Sequence, residues 1–332
     1  MEKADTILLT GATGFVGRNL SPDLIRRGYR VRCMTRDPGS ALGRFPQQQW
    51  VLGNVDQPET LVAAMQGCRA AYYLVHGMAE GRADFRQHEV MAAKNFAQAA
   101  HAAGLERIVY LGGVEPAAAP SEHLLSRLEV GQTLRQGSIP AIELRASMII
   151  GYGSLSWLIV RDLAARLPFM VLPRWMSSLT EPIGIDDVIV ALIAALDAPL
   201  SGGQWYDVPG PEILSCQAIL VRTAHLLGLK APIMVKVPVL SPWLSSHWVR
   251  FVTRAEWSVA REVVVGLAHD LLARGHDYWT LIGHSSRLSF DEAARRALEA
   301  ERQAAQAQVT GLWRAVEDSV RRWHGVSSSP RL

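Results

Sequence analysis

Short apolar runs alternate with amphipathic stretches through the first half of the chain. TILLT, RVRCMT, QWVLG, AAYYLV, RIVYLG and AIELRAS read as strands. Between them, segments such as FAQAAHAAG repeat their apolar positions at the helical period. Strands that alternate with helices predict an α/β fold: a doubly wound parallel (Rossmann-type) sheet with crossover helices on both faces. After about residue 150 the texture changes, and nine of the ten tryptophans lie beyond that point. Proline-bearing turns interrupt the pattern at LPFMVLP, EPIG and DVPGPE, while QWYDV predicts one more strand. IDDVIVALIAAL predicts one more helix, with Asp186 and Asp187 as its N-cap and first-turn acid. PVLSPWLSSHWVRF is apolar and irregular, and TRAEWSVAREVVVGLAHDLL carries an amphipathic helical pattern. From Asp291 to about Trp323 the chain is rich in Ala, Arg and Glu and predicts a long helix.

Composition narrows the function classes. In a chain of 332 residues, 49% of them apolar, a large core is available. The formal charge is +3 with no stripe of Lys or Arg, which argues against nucleic acid as a partner. Cys33, Cys68 and Cys216 are scattered without metal-ligand spacing, so no metal is expected and a reduced, cytoplasmic protein is. The longest uncharged stretches, such as ASMIIGYGSLSWLIV, are too short and too polar for a transmembrane segment. The late tryptophans leave peripheral membrane contact open, and the assembly expected is a monomer or homodimer.

The strongest local signal is LTGATGFVG, which follows the first strand and opens the first helix. Gly11 permits a tight turn, Gly14 lets backbone approach a pyrophosphate, and Gly17 lets helix pack on strand. The phosphates would rest on N–H groups of the turn and helix start, from Thr13 and Gly14 to Phe15 and Val16. RVRCMT then ends at Arg36-Asp37. A carboxylate there suits a ribose 2′-hydroxyl, whereas a guanidinium suits a 2′-phosphate. Arg36 therefore points to NADP(H), against the plainer reading of an exposed loop arginine.

The spacing Gly-x-x-Gly-x-x-Gly resembles the extended and atypical short-chain dehydrogenase/reductases. So do GNVDQPETL, AAYYLVHGM, AAKNFAQAAHAAGLERIVYLGG, SEHLLSRLEVGQTLR, IELRASMIIGYGS and PRWMSSLTEPIGIDDV, in order over roughly residues 5–225. Within that group the set is similar to the NAD(P)H-binding, nitrogen-metabolite-repression-regulator-like branch, with isoflavone-reductase-like proteins more distant. The resemblance implies adenine contacts at Asn54 and Val55, where an acid is usual. It further implies cofactor-lining residues at Leu74, Val75 and His76, at Leu111 and Gly112, and at Ala146 and Met148. The domain division expected is a dinucleotide-binding domain over 1–168, to which 185–210 return. A smaller, mainly helical substrate region covers 169–184 and 211–290, a C-terminal helix 291–324, and a flexible tail 325–332.

In the wider superfamily a Tyr-x-x-x-Lys helix follows the fifth strand, and here the two places fall on His123 and Arg127. None of the four lysines has a tyrosine four residues before it, so the departure is real. Arginine can bind a ribose or polarise a carbonyl but cannot act as base. Histidine can hand over a proton, although a guanidinium beside it pulls its pKa down. The alternative is that both belong to the polar face of a surface helix. His76, at a strand end, is a second catalytic candidate, and Arg145 an anchoring residue. Tyr152 is a reserve proton donor, and Trp157, Trp175, Trp243 and Trp248 are candidates for the lining of an apolar substrate pocket. The function expected is an NADPH-dependent reductase of a small hydrophobic carbonyl or conjugated alkene. The alternatives are an NADP(H)-binding sensor or assembly protein without turnover, and a non-redox isomerase or cyclase.

Overall fold

A computed structural model describes residues 5–75, 85–116, 120–167, 169–172, 177–200, 202–236, 269–275 and 277–323, with side chains at all of these except 170–172, 235–236 and 309–323. The first half alternates β1 (Thr6–Leu9), α1 (Phe15–Arg26), β2 (Arg30–Thr35), α2 (Pro38–Arg44), β3 (Gln49–Leu52), α3 (Pro58–Met65), β4 (Ala70–Tyr73), α4 (Phe85–Ala102), β5 (Arg107–Gly113), α5 (Glu122–Arg135) and β6 (Ala141–Ala146). Then follow β7 (Ile149–Ile150), α6 (Leu155–Arg166), β8 (Phe169–Leu172), β9 (Leu179–Thr180), β10 (Ile183–Gly184), α7 (Ile185–Ala194), β11 (Gln204–Asp207), β12 (Leu214–Ser215), α8 (Cys216–Leu226) and β13 (Ile233–Lys236). The last described elements are α9 (Asp277–Leu281) and α10 (Phe290–Trp323).

Seven strands form one sheet in the order β11-β6-β5-β4-β1-β2-β3, and every pairing within it is parallel. The chain leaves β1 toward β2 on one side and returns to β4 on the other. This reversal opens a crevice beyond the carboxyl ends of β1 and β4, the place where doubly wound sheets bind ligands.

Strand alternation sorts the core into two layers. Ile7, Leu9, Ala70, Tyr72, Val109 and Leu111 face α1 and α7, where Leu20, Leu24, Val188 and Leu192 meet them. Leu8, Ala71, Tyr73, Ile108 and Tyr110 face the other way, against Leu61, Met65, Phe96, Val130 and Leu134 of α3, α4 and α5. Each such Leu or Ile contributes about 1.5–3 kcal/mol by leaving water. Buried tyrosine hydroxyls are satisfied on backbone: Tyr72 donates to Leu192 O at 2.9 Å and Tyr278 to Ala191 O at 2.8 Å.

A third cluster joins α6, α8 and α10 through Trp157, Val160, Ile219, Leu220, Phe290 and Ala294. Arg222 clamps its edge, reaching Glu212 at 2.6 Å and Asp291 at 2.8 Å. Two local expectations change. The N-cap of α7 is Gly184, with both Asp186 and Asp187 in the first turn. Asp187 instead receives His284 Nε2 at 2.9 Å and the Leu288 N–H at 2.9 Å, tying a distant segment to α7. LPFMVLP holds a strand as well as turns, because Phe169–Leu172 pairs in parallel with Ile233–Lys236. His76, Trp175, Trp243, Trp248 and nearly all of the expected amphipathic helix from Thr253 lie outside the described residues.

Candidate functional site

The glycine turn is built to two different requirements. Gly11 has φ +61°, and a Cβ there would lie 2.3 Å from the Leu74 carbonyl oxygen. A Cβ on Gly17 would lie 2.3 Å from the Gly11 oxygen. Both glycines are demanded by the protein's own packing. Gly14 differs: its added Cβ would meet only the Gly11 oxygen, at 3.1 Å, and the residue is exposed. Gly14 is also the N-cap of α1, without a side-chain cap and without an acid in the first turn. The leading N–H groups of the helix therefore face outward, with a favourable dipole for anions. Thr10 Oγ1 fixes this turn to the next strand, donating to Tyr72 O and accepting from Leu74 N–H, each at 2.9 Å. Phe15 packs under the turn after β7, since a Cβ on Gly151 would sit 2.9 Å from its ring. Val16 is half-buried on the core.

At the end of β2 the two neighbouring side chains divide. Asp37 caps α2, its Oδ1 accepting from Ser40 N–H at 3.0 Å. Arg36 is exposed and makes no ion pair among the described residues. The carboxylate is thus occupied, whereas the guanidinium has no partner among the described residues.

Asn54 closes the turn after β3, its Oδ1 accepting from Asp56 N–H at 3.1 Å, and Asn95 donates to Val55 O at 2.9 Å. Leu74, Leu111, Gly112, Ala146 and Met148 are buried, and Val75 and Thr13 sit at the margin, half-buried and exposed respectively.

Helix α5 is capped by Ser121, whose Oγ accepts from Leu124 N–H at 3.2 Å. It lies close on the sheet because three glycines and one acid leave room for each other. A Cβ on Gly113 would meet Leu124 Cδ1 at 2.7 Å and Arg127 Cδ at 3.8 Å, so the Arg127 stem runs along the end of β5. Cβ atoms on Gly112 and Gly131 would meet the Glu143 carboxylate at 2.9 and 2.4 Å. That carboxylate is buried between Arg135 Nε at 2.8 Å and Arg145 Nε at 2.9 Å. Arg145 continues to Glu115 at 3.5 Å and lies 4.2 Å over the Trp205 ring, an anchoring role.

His123 and Arg127 share one face of α5 at the mouth of the crevice. His123 is half-buried and stacks on Phe85, with ring centroids 6.3 Å apart and planes at 21°. Burial, and after it the Arg127 guanidinium, pulls the imidazole down from its ordinary 6.5 to about 4. The ring is therefore neutral near pH 7. The Nε of Arg127 is buried and has no hydrogen-bond partner among the described residues. The acids on the same helix do not neutralise it: Arg86 takes Glu129 at 3.1 Å and Glu122 at 3.3 Å. A guanidinium with an orphaned N–H at the carboxyl end of β5, in a chain whose first strand ends in an outward phosphate-type turn, is chemically suited to a nicotinamide dinucleotide and its acceptor. Gly14, Phe15 and Val16 would take the pyrophosphate, and Arg127 the ribose or the acceptor oxygen.

Two pocket candidates separate. Tyr152 is 47% exposed, beside the Gly151–Gly153 turn that packs on Phe15. Trp157 is 2% exposed and packs edge-on to Phe290 at 6.4 Å, so it is part of the third core cluster and not a wall of the crevice. Phe85, Arg18 and Glu143 escaped sequence reasoning. Arg18, four residues after Gly14 on α1, is exposed, and its Nη2 lies 3.3 Å from a Cβ built on Gly153. Its spacing from Gly14 was the available signal.

Residues 11–164 match the family described as NAD(P)H-binding. The ceramide reductase of Caulobacter vibrioides is 29% identical over 238 residues, covering 70% of this chain and 73% of the relative. A 4-hydroxy-2-methyl-3-oxo-4-farnesyl-3,4-dihydroquinoline-1-oxide ketoreductase of Stigmatella aurantiaca is 26% identical over 296 residues, covering 80% and 86%. Among solved structures, the Citrobacter sp. triphenylmethane reductase complexed with NADP(H) superposes with a TM-score of 0.67 at 18% identity, covering 88% of this chain and 99% of that one. Residues 11–164 are thus similar to NAD(P)H-binding domains, and the chain is similar over most of its length to proteins named reductases. No described helix is long and apolar enough to cross a membrane.

Proposed function

We propose that this chain is an NADPH-dependent reductase of a hydrophobic carbonyl or conjugated alkene, working without Tyr-x-x-x-Lys. The observation that carries the reading is the Arg127 guanidinium, its Nε buried without a partner among the described residues, beside a neutral His123 at the end of β5. The bound cofactor would supply hydride. The protein's part is to bind and orient: the turn at Gly14 for the pyrophosphate, Arg36 for a 2′-phosphate, and Asn54 and Val55 for the adenine end. Arg127 draws electron density onto the acceptor oxygen, and a neutral His123 can donate a hydrogen bond without transferring its proton. The names of the relatives support the redox class, and the nine tryptophans after residue 150 support a hydrophobic acceptor.

A second reading has its own support. The low His123 pKa leaves no ordinary acid on α5, as expected of an NADP(H)-binding sensor without turnover. One assay separates the two. NADPH should quench tryptophan fluorescence, and its oxidation should be accelerated by some member of a panel of enones, quinones, ketones and aldehydes. Tight NADPH binding with no oxidation across the panel would favour the sensor.

A further inference from the structure

Resting on the reductase reading, we infer that the acceptor is conjugated, an enone or a quinone, and that Arg127 holds the delocalised oxyanion formed when it takes hydride. Two kinds of acceptor make different demands on a site. An isolated ketone or aldehyde becomes a strongly basic alkoxide and needs an acid within hydrogen-bond reach as it forms. The adduct of an enone or quinone spreads its charge over carbon and oxygen. It needs a fixed positive charge at the oxygen and can wait for a proton from water.

Beside Arg127, the described residues around the ends of β4, β5 and β6 offer the charge and withhold the acid; Tyr152, exposed beyond β7, is the hydroxyl that the second arm of the test addresses. Tyr110 donates its hydroxyl to the Arg127 backbone oxygen at 3.1 Å, beneath the helix. Tyr72 donates to Leu192 O at 2.9 Å, and Tyr73 is enclosed against Phe96 and Tyr110. Ser147 donates to Glu181 O at 2.7 Å. Glu115 is held by Arg145 at 3.5 Å and Arg274 at 3.2 Å. His123 carries no proton to spare near pH 7. Arg127, by contrast, is left with its charge uncompensated, because Arg86 collects Glu122 and Glu129 while Glu143 is taken by Arg135 and Arg145.

For an enone the sequence balances simply. Two electrons and one hydrogen arrive as hydride at the β-carbon. The carbon–carbon π pair moves to give an enolate, whose oxygen faces Arg127. Water then protonates the α-carbon. Acceptor, NADPH and one proton become saturated carbonyl and NADP⁺.

The test reads the oxyanion site without turnover. 4-Nitrophenol, whose ionised form is a planar delocalised oxyanion, is titrated into the NADP⁺-loaded protein and its ionisation followed by absorbance. The bound phenol should ionise about one pH unit lower than the free one, a tenfold effect. Arg127→Met should abolish the shift and Arg127→Lys retain part of it. A probe that stays unbound, or ionises alike in wild type and Arg127→Met, would overturn the inference. In a second arm, NADPH oxidation is compared for an aryl enone and its saturated ketone, with the enone expected to react at least about tenfold faster. Equal turnover of the saturated ketone, abolished by Tyr152→Phe or His76→Gln, would reveal a proton donor and also overturn it, placing this chain with the Stigmatella ketoreductase in mode of action. If NADPH itself fails to bind, the reductase reading falls; if NADPH binds and only these outcomes fail, the acceptor class alone falls.

Discussion

Glu143 fills the space that Gly131 leaves open. A Cβ on residue 131 would stand 2.4 Å from the carboxylate, so at this point the helix bearing His123 and Arg127 lies close on the sheet only because residue 131 has no side chain. Gly131→Ala should therefore push α5 outward and destabilise the fold by about 1–3 kcal/mol through overpacking. Glu143→Gln should cost about 3 kcal/mol, because it leaves buried Arg145 and its neighbour Arg135 without their shared anion. Thermal melts of both variants check this; an unchanged Tm in Glu143→Gln would show that the pairs contribute nothing.

The glycine turn makes a contrasting pair of predictions. Gly17→Ala sets a methyl 2.3 Å from a backbone oxygen and should lower the melting temperature sharply. Gly14→Ala meets only one atom, at 3.1 Å, and should fold nearly as well. It should nevertheless lose about tenfold or more in NADPH affinity, since its methyl occupies phosphate space. Melting temperature and cofactor titration on the two variants read the difference directly.

We propose that Arg36 sets a preference for NADPH over NADH. Arg36→Ala should raise the dissociation constant for NADPH by about 10–100-fold, the range for hydrogen bonds to a charged group, and leave that for NADH unchanged. Equal losses for both cofactors would return Arg36 to an ordinary loop residue.

His123 gives a pH signature with a definite sign. Its pKa is about 4 in the fold against an ordinary value of 6.5, so below 6.5 the unfolded chain takes up the proton first. The His123 contribution is thus fully favourable above 6.5 and is lost progressively as pH falls toward 4. The His123→Phe variant should lose less melting temperature than wild type between about pH 7 and pH 5. The wild-type rate should show no inflection near 6.5 from this group.

The sheet was legible because strand and helix periods differ and alternate cleanly from Thr6 to Ala146. The tight turn at Gly11 and the close packing at Gly17 were legible because they depend on neighbours in sequence. What escaped depends on distance. Ile233–Lys236 pairs with Phe169–Leu172 across more than sixty residues, and a short run beside prolines carries no sign of that partner. Glu143 drew no reading from the sequence, because its partners Arg135 and Gly131 lie on α5 and meet it only in the fold. Trp157 suggested a pocket wall, although its helical spacing with Val160 and Ala164 already marked a core face.

The central claim is that a dinucleotide held at Gly14 brings its nicotinamide end to residues 123–127. The most direct measurement is the Nε–H resonance of Arg127, followed by ¹⁵N NMR while NADPH is titrated in. A saturable shift of that signal is expected, absent when the titrant is adenosine 2′,5′-bisphosphate, which lacks both the nicotinamide ring and its ribose. An Arg127 resonance that stays unmoved at saturating NADPH would contradict it.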